Sequence, residues 1–583
     1  MSAAAAWTVV GVSGDTATLV GLDADGGERG RDRVPLETLA QRVAAREAAG
    51  TRWVWSDTAR VYPALLHAGV RVLRCRDLRL CHAILRDTAL LDGDGSDAAA
   101  AAAAQLRAAA AWDAPAVDPG QAPPVALFEL DGAAGRPAGP PQEIGEVLAE
   151  FARQRAAVAA STQPRRLDLL CAVESAGALV AAEMTAAGLP WDTAAHDAIL
   201  TEVLGARPAG GGAPRRVAET AATVRALLGD DKASLDSPPK LLRSLHRVGV
   251  PARTTAKWEL REYDHPVIAP LLEYKALMRL FTANGWAWLA DWVRDGRFRP
   301  VYIPAGVVTG RWASSGGGAL QIPRRLRAAV RADPGWTFVV ADVAQLEPRV
   351  LAAMSGDTAL AAAARGSDLY SGIVDSGAVA TRAEAKVAML GAMYGATTGE
   401  SGRLVPRLRR TYRRAMALVD TAAREGERGG VVSTWLGRTS PAASRGWREV
   451  QSLASDENAG VVERERARRA AGDRGRFTRN FVVQGTAAEW ALAWLAEVRL
   501  RLAALAPVPV EDAAPRSGPA FSRTPHLAFF LHDELIVHTP AARADEVDRI
   551  VRDAAAAAAS LLFGDFPIDF PLDLHISPTG EKG

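Results

Sequence analysis

Apolar and polar positions run in short β-like stretches at the start of the chain and then lengthen into helical periods. "WTVVGV", "ATLVGL", "RWVW" and "VRVL" read as strands, and "LETLAQRVAARE" places apolar residues at helical spacing between them. Residues 1–91 therefore predict a small α/β unit. From 92 to about 141 the pattern dissolves into Gly, Pro and Ala, as in "DAPAVDPGQAPP", and reads as a linker, helical only in its alanine tract. The helix-prone "QEIGEVLAEFARQRAAVAA" follows. Residues 166–300 are mostly helical. "LLCAVESAGALVAAEMTAAGL" ends at Gly188, "SPPKLLRSLHRVG" opens on a Ser cap with Pro in its first turn, and "HPVIAPLLEYKALMRLFTANGWAWLADWV" is one long amphipathic run. "WTFVVAD" is a buried strand, 348–427 is helical again, and 441–475 is polar, arginine-rich and fits no period. The helix "RNFVVQGTAAEWALAWLAEVRLRLAAL" then leads to the hairpin "FFLHDELIVHTP".

The two strands share one feature. "TFVVAD" and "FFLHD" each deliver an aspartate at the C-terminal end of an apolar run. If they are neighbours in one sheet, Asp342 and Asp533 converge and repel unless divalent cations neutralise them. Two cations ~3.5–4 Å apart on shared carboxylates make a clamp for in-line phosphoryl chemistry. Mg²⁺ suits it, because it takes few protein carboxylates and keeps waters and phosphate oxygens. From the acids alone, two solvated strand ends are the preferred reading.

"TRAEAKVAMLGAMYG" adds Arg382, Lys386, Leu390 and Tyr394 at steps of four. On a helix these form one stripe with ~6 Å between members. Cation, cation, apolar, aromatic is the order of a nucleoside triphosphate laid along it. An amphipathic helix with solvated cations is the plainer alternative. "RFTRNFVVQG" sets Arg476, Asn480 and Gln484 on one helical face. Donors there can test base-pair shape through minor-groove acceptors, or serve only packing.

Composition narrows the classes. The 583 residues predict several domains, and 49% hydrophobic content supplies their cores. The net charge of +2 leaves room for a local basic groove. Arginine far outnumbers the six lysines. Cys75, Cys81 and Cys171 have no metal-type spacing and are too few for a disulfide scaffold. No secretory signal and no apolar run of membrane-spanning length are expected, which fits a reducing cytosol.

Taken together, these residues resemble a family. "VVADVAQLEPRVLAAMSGD", "TRAEAKVAMLGAMYG" and "LHDELIVH" look like motifs A, B and C of family A DNA polymerases, the bacterial DNA polymerase I type. "TGRWASS", "QIPRR", "WLGRTS", "QGTAAEW" and "HPVIAPLLEYKALMRL" support the match, which runs in unbroken order over roughly residues 166–583. The resemblance implies an α+β, multi-domain, right-hand polymerase. It has an antiparallel palm sheet, helical fingers and thumb, and an N-terminal RNase H-like α/β domain of exonuclease type. The segments are 1–91 for that domain, 92–165 for linker and helix, 166–265 for the thumb, 266–354 and 471–583 for the two parts of the palm, and 355–470 for the fingers.

By motif position, the resemblance implies the roles that follow: Asp342 and Asp533 would hold two Mg²⁺ ions, with Mn²⁺ as a substitute, and Glu534 would be an accessory acid. Lys386 and Arg382 grip the triphosphate, and Lys386 also serves the leaving pyrophosphate. Leu390, Tyr394, Gln345, Tyr370 and His532 line the dNTP site, with His532 near the primer end. Glu347 blocks a ribose 2′-hydroxyl. Arg311, Arg476, Asn480 and Gln484 follow the duplex minor groove, and Lys275 and Arg279 touch its backbone. The implied partners are primer-template DNA and dNTPs, with no membrane, for a monomer in the bacterial cytosol engaged in repair or gap filling. A single-subunit RNA polymerase and a non-catalytic DNA-binding protein with a decayed site are the rival readings. Glu347 and the motif B spacing favour DNA. The presence of both aspartates and both cations favours an enzyme.

The departures carry expectations of their own. Val343 and Ala344 replace Tyr-Ser of motif A, and Leu390 replaces an aromatic, which alters sugar discrimination at the 3′ position. Tyr370 stands where a histidine is usual. Pro348 predicts a helix that starts there, with Glu347 as its cap. In the first segment the strand "WTVVGV" lacks the acids of a D-x-E pair, Val61 stands at the next acid position, and only Asp77 remains. One carboxylate cannot run a two-metal hydrolase, so proofreading is expected to be absent. No room for a 5′-nuclease domain is expected either.

Overall fold

The computed structural model describes residues 5–91, 97–113, 139–315, 317–318, 322–366, 368–395, 399–456 and 458–581. Its first strands, β1 (Trp7–Ser13), β2 (Thr16–Leu22) and β3 (Glu28–Pro35), form an antiparallel meander. Helix α1 (Leu36–Glu47), β4 (Arg52–Trp55), α2 (Thr58–His67) and β5 (Cys75–Asp77) complete a sheet of order β3-β2-β1-β4-β5, in which β1, β4 and β5 are parallel. Val10 packs with Trp53, Trp55, Tyr62 and Leu65 on one face, and Val9 packs with Val54, Leu78 and Phe151 on the other. Burial on both faces is why β1 reads as a continuous apolar run.

Two readings of this region need correction. β3 is polar apart from Val34, an edge strand whose hydrophobic pattern is silent. "VRVL" is not a strand. Its backbone is satisfied by side chains, since Val72 N–H donates to the Tyr62 hydroxyl at 3.3 Å and the Val72 and Leu73 carbonyls accept from Arg499.

After α3 (Leu78–Asp87) come α4 (Asp97–Ala108) and α5 (Ile144–Ala160). Both are packed, α4 through Ala99, Ala103 and Leu106, α5 through Val147 and Phe151 against the sheet. The described parts of the expected linker are thus structural, and the rest of it, 92–96 and 114–138, lies outside the described residues. Helix α6 (Pro164–Ala187) ends at Gly188, whose φ of 68° favours glycine. Contrary to expectation, α6 is long and apolar enough to cross a membrane, the only such helix among the described residues, but it is a core helix packed against α2. Its buried Glu183 accepts from the Tyr62 hydroxyl at 2.6 Å, from Arg71 at 3.0 Å and from Arg499 at 2.7 Å. Burial alone would raise this carboxyl, yet the two arginines hold it at about 2.

The chain divides into two compact units, coarser than the six expected segments. The smaller comprises Leu189–Pro300, Gly316–Asp333 and Pro578–Gly583, so α6 lies in the larger. The smaller unit contains β6 (Leu189–Pro190), α7 (Thr193–Leu204), α8 (Arg215–Leu227), α9 (Pro238–Arg247), α10 (Lys257–Leu260), α11 (Ile268–Asn284), α12 (Trp286–Trp292), β7 (Val293–Arg294) and β8 (Arg297–Phe298). The long amphipathic run breaks at Gly285, where a Cβ would meet the Phe281 carbonyl at 2.2 Å.

The larger unit resumes with the ribbon β9 (Val301–Ile303) and β10 (Ala313–Ser315), then β11 (Trp336–Val343) and the helices α13 (Leu346–Ser355), α14 (Thr358–Ala363), α15 (Leu369–Asp375), α16 (Arg382–Tyr394), α17 (Gly399–Thr411), α18 (Arg413–Glu427), α19 (Arg445–Ala454) and α20 (Val461–Ala503). It closes with β12 (His526–Leu531), β13 (Glu534–Pro540), α21 (Ala544–Phe563) and β14 (Leu572–Ser577). The unassigned stretch 441–475 becomes α19 and the first turns of α20, which spans 43 residues. Helix α13 starts at Leu346, not Pro348. Its N-cap is Gln345, and Glu347 lies inside its first turn. Pro348 is tolerated because first-turn N–H groups have no intrahelical acceptor.

Asp77 is fully buried and caps two helices at once. Its carboxylate accepts the Thr58 N–H at 2.7 Å and the Leu80 N–H at 3.0 Å, in the first turns of α2 and α3. Burial and the neighbouring Asp57 push it up to about 6. Asp77→Ala should lower unfolding free energy by about 2–4 kcal/mol, from two lost caps and two orphaned donors. Urea denaturation checks this.

Candidate active site at the rim of the antiparallel sheet

The four-stranded sheet runs β12-β13-β11-β14, antiparallel throughout. Val339, Val340, Leu535 and Val537 are buried in it. The register sets Asp342 opposite Glu534, and the Val343 N–H donates to the Asp533 carbonyl at 3.0 Å. The acids of motifs A and C, far apart in sequence, thus meet at one end of adjacent strands. Opposed residues of an antiparallel pair share a face, so Asp342 and Glu534 lie on the same side. Glu534 is buried, while Asp342 and Asp533 are partly exposed. Across the other edge of β11, Asp342 faces Asp573, an acid the motif reading did not single out.

The hairpin tip is tight. The Asp533 N–H donates to the Leu531 carbonyl at 2.8 Å, with His532 between them at φ 59°. This is a γ-turn of the rarer, strained hand. Gln345 has φ 48°, so two of the four non-glycine residues with positive φ among the described residues flank the acids. Strain of this kind costs about 1–3 kcal/mol per residue and persists where surrounding structure imposes it.

Glu347 is the centre of a second cluster. It accepts from the Tyr394 hydroxyl at 2.7 Å and from Arg311. Burial and the Glu347 charge push Tyr394 up to about 12, against a hydrogen bond from Gln484. Tyr370 is raised by burial and by the same carboxylate. His532 is held below its usual value by partial burial and by Arg311, with Glu347 acting in the opposite sense. Residues of all three motifs and of the "TGR" segment therefore share one electrostatic environment.

On α16 the expected stripe is real. Arg382, Lys386 and Tyr394 are exposed and Leu390 is half-buried, while Ala385, Ala388, Met389 and Ala392 are buried behind them. A capping box fixes the start of the helix, with the Glu384 N–H donating to Thr381 Oγ1 at 3.2 Å. Arg382 is engaged. Its Nε donates to Asp368 at 2.7 Å and its guanidinium lies 5.6 Å from the Tyr370 ring centre. Sequence reasoning missed Asp368, although an Asp before an apolar run is a cap signal, and Asp368 caps α15. The Gln345 side chain accepts the Leu369 N–H at 3.1 Å and so ties motif A to the same helix.

Arg476, Asn480 and Gln484 lie on α20 as expected. Arg476 pairs with Asp473, and Asn480 Oδ1 is buried without a hydrogen bond. Lys275 and Arg279 are on α11 in the smaller unit, where Lys275 donates to the Thr255 carbonyl and burial lowers its pKa.

The supporting segments "TGRWASS", "WLGRTS" and "QGTAAEW" meet around buried charges. Glu489 accepts from Thr434 and, at 3.0 Å, from the Leu436 N–H, and Arg438 pairs with Glu174. Gly310 and Gly485 sit where a Cβ would strike Arg438 at 2.7 Å and Thr434 at 2.4 Å. The segment carrying Arg311 is thereby held in place.

Divalent cations fit this rim. The strand register brings Asp342, Asp533 and Glu534 to one end of adjacent strands, and among the described residues no group of three or more His, Cys, Asp or Glu is placed to hold a metal ion by itself. That donor set suits a hard ion that retains waters and phosphate oxygens.

Two tests follow from these charges. In an NMR titration, Arg311→Met should raise the His532 pKa and Glu347→Gln should lower it, opposite shifts of one reporter. Burial pushes the Glu489 carboxyl up to about 7 from an ordinary 4.5. Because the folded state holds this proton more tightly, stability should fall as pH rises from about 4.5 to 7, by up to about 3 kcal/mol. Glu489→Gln should flatten that slope in pH-dependent denaturation.

Comparison with known proteins accords with the geometry. The model of DNA polymerase family A matches residues 213–578, more than half of the chain. The thermostable DNA polymerase I of Thermus aquaticus is 27% identical over 508 residues, 79% of this chain and 54% of its own length. DNA polymerase I of Chloroflexus aurantiacus is 30% identical over 346 residues, 54% of this chain and 32% of its own length. The chain thus spans about a third to a half of these relatives. The POL domain of Pol1 from M. smegmatis, in complex with DNA primer-template and dNTP, superposes with a TM-score of 0.66 at 18% identity, over 99% of this chain and 95% of that one. Motifs, register and matched length lead to one conclusion: the chain belongs to DNA polymerase family A.

Proposed function

We propose that the chain is a template-directed DNA polymerase that adds dNTPs to a primer 3′ end. The observation that carries this reading is the register that brings Asp342 to Asp533 and Glu534 at one sheet rim. The four-stranded sheet serves as the palm, α14–α19 as the fingers, and the thumb falls within 166–265. The mixed five-stranded sheet supports an RNase H-like α/β domain at the N-terminus.

Asp342 and Asp533 would hold two Mg²⁺ ions, with Mn²⁺ as a substitute, and Glu534 adds negative charge beside them. When bound, the ions supply charge stabilisation for the attacking and leaving oxygens. The protein's own groups do the rest. Arg382 and Lys386 bind the triphosphate along the exposed stripe of α16. Tyr394 and Leu390 bound the sugar and base, with Gln345 and Tyr370 fixing the adjoining helix. Glu347, held by Tyr394 and Arg311, stands against a 2′-hydroxyl. His532 sits at the strained hairpin tip near the primer end. Arg311, Arg476, Asn480 and Gln484 track the minor groove, while Lys275 and Arg279 contact the backbone. By analogy with the family, the reading takes the chain as a cytoplasmic monomer engaged in repair or gap filling.

Proofreading is absent in this reading. Asp77 is consumed as a double helix cap, and Val61 offers no acid.

Primer extension with Mg²⁺ tests all of this together. Asp533→Ala should lose at least ~10³-fold in rate, since removing a metal ligand costs several kcal/mol. Equal activity would end the enzymatic reading. Glu347→Ala should admit ribonucleotides. Metal-dependent excision of mismatched 3′ ends that disappears in Asp77→Ala would overturn the absence of proofreading.

A further inference from the structure

Helix α17 carries an unusual charge pattern. Residues 401–419 contain six arginines and no acid, a local charge of +6 in a chain whose total is +2. Leu404, Val405 and Leu408 are buried. Arg403, Arg407 and Arg410, at successive steps of four and three, form the exposed face. Like charges at such spacing weaken a helix by a few tenths of a kcal/mol per pair. Five helical arginines elsewhere in the chain are offset. Arg215 has Glu219, Arg445 has Glu449, Arg469 has Glu465, Arg501 has Glu497 and Arg552 has Asp548, each one turn away.

On α17 the one acid is Glu400, three residues before Arg403, and no acid lies one turn from Arg407 or Arg410. Arg409 pairs with Asp420 across to α18, and Arg414 donates to the Gly356 carbonyl at 3.1 Å. The guanidinium groups of Arg403, Arg407 and Arg410 have no hydrogen-bond or ion-pair partner among the described residues. An uncompensated cationic face of this kind matches a polyanion. Arginine is suited to phosphate through its planar fork of donors.

Its place in the fold narrows the ligand. Helix α17 packs against α16, and Ser401 Oγ donates to the Val387 carbonyl at 3.3 Å. Arg403 follows Tyr394, which bounds the nucleotide pocket, by nine residues. We infer that the face formed by Arg403, Arg407 and Arg410 binds DNA phosphates ahead of the nucleotide pocket, so that the enzyme holds the far side of a gap. This rests on the polymerase reading for the direction of the DNA, but not for the binding itself.

The test uses the full chain and fluorescence anisotropy. Two labelled substrates are compared: a primer-template, and the same primer-template with a downstream strand leaving a one-nucleotide gap. The variant is Arg403→Gln/Arg407→Gln/Arg410→Gln. These side chains are exposed, so its melting temperature should match wild type. It should lose about tenfold or more in affinity for the gapped substrate, and its log K against log salt slope should be shallower by about 2–3. Affinity for the plain primer-template, and extension on it, should stay within about twofold. The triple Arg→Lys variant should recover the salt slope. Unchanged gapped-DNA affinity and slope would overturn the inference, as would an equal loss on both substrates. Wild-type chain that binds the gap through these arginines but extends no primer would refute the polymerase reading while leaving the binding face intact.

Discussion

Two strands bring like charges to one end of one sheet, and much else in the larger unit follows from that. At an effective dielectric of about 20, unit charges ~4 Å apart repel by about 4 kcal/mol, a large fraction of the 5–15 kcal/mol that holds a typical domain together. The apolar interiors of β11 and β13 provide the counterweight, with Val339, Val340, Leu535 and Val537 fully withdrawn from water. Burial of that kind contributes about 1.5–3 kcal/mol per side chain. The sheet can therefore tolerate an acidic rim, and the rim is disposed to attract a cation.

The same logic of enforced geometry recurs around it. Positive φ at Gln345 and His532 sets the turns on either side of the acids. Glu347 is fixed by Tyr394 and Arg311, and Arg311 is fixed in turn through the segments that meet at Arg438, Glu174 and Glu489. A buried carboxyl near neutrality is costly unless hydrogen-bonded, and Glu489 is hydrogen-bonded by the loop it secures. Positioning thus passes from the core helices α6 and α20 outward to the candidate nucleotide pocket.

Much of this was legible in the sequence because the signals were local. The period of α16, α1 and the two acid-bearing strands are written in neighbouring residues. What was not legible depended on distant partners. β3 is polar because it is an edge. "VRVL" looks like a strand but is held by Tyr62 and Arg499. The start of α13 two residues before Pro348 follows from the left-handed Gln345, which no propensity signals. Asp368 and Asp573 acquire their significance only when the strands and helices are assembled. The alanine-rich α4 was read as part of a linker because alanine covers a core without marking it.

The most direct test of the central claim is Mn²⁺ binding, followed by electron paramagnetic resonance in the presence of dNTP. Wild type, Asp342→Asn, Asp533→Asn and the double variant would be compared. If the two carboxylates share ions, each single variant should lose nearly as much affinity as the double, a strongly non-additive result. Losses that simply add, or no loss at all, would contradict the account.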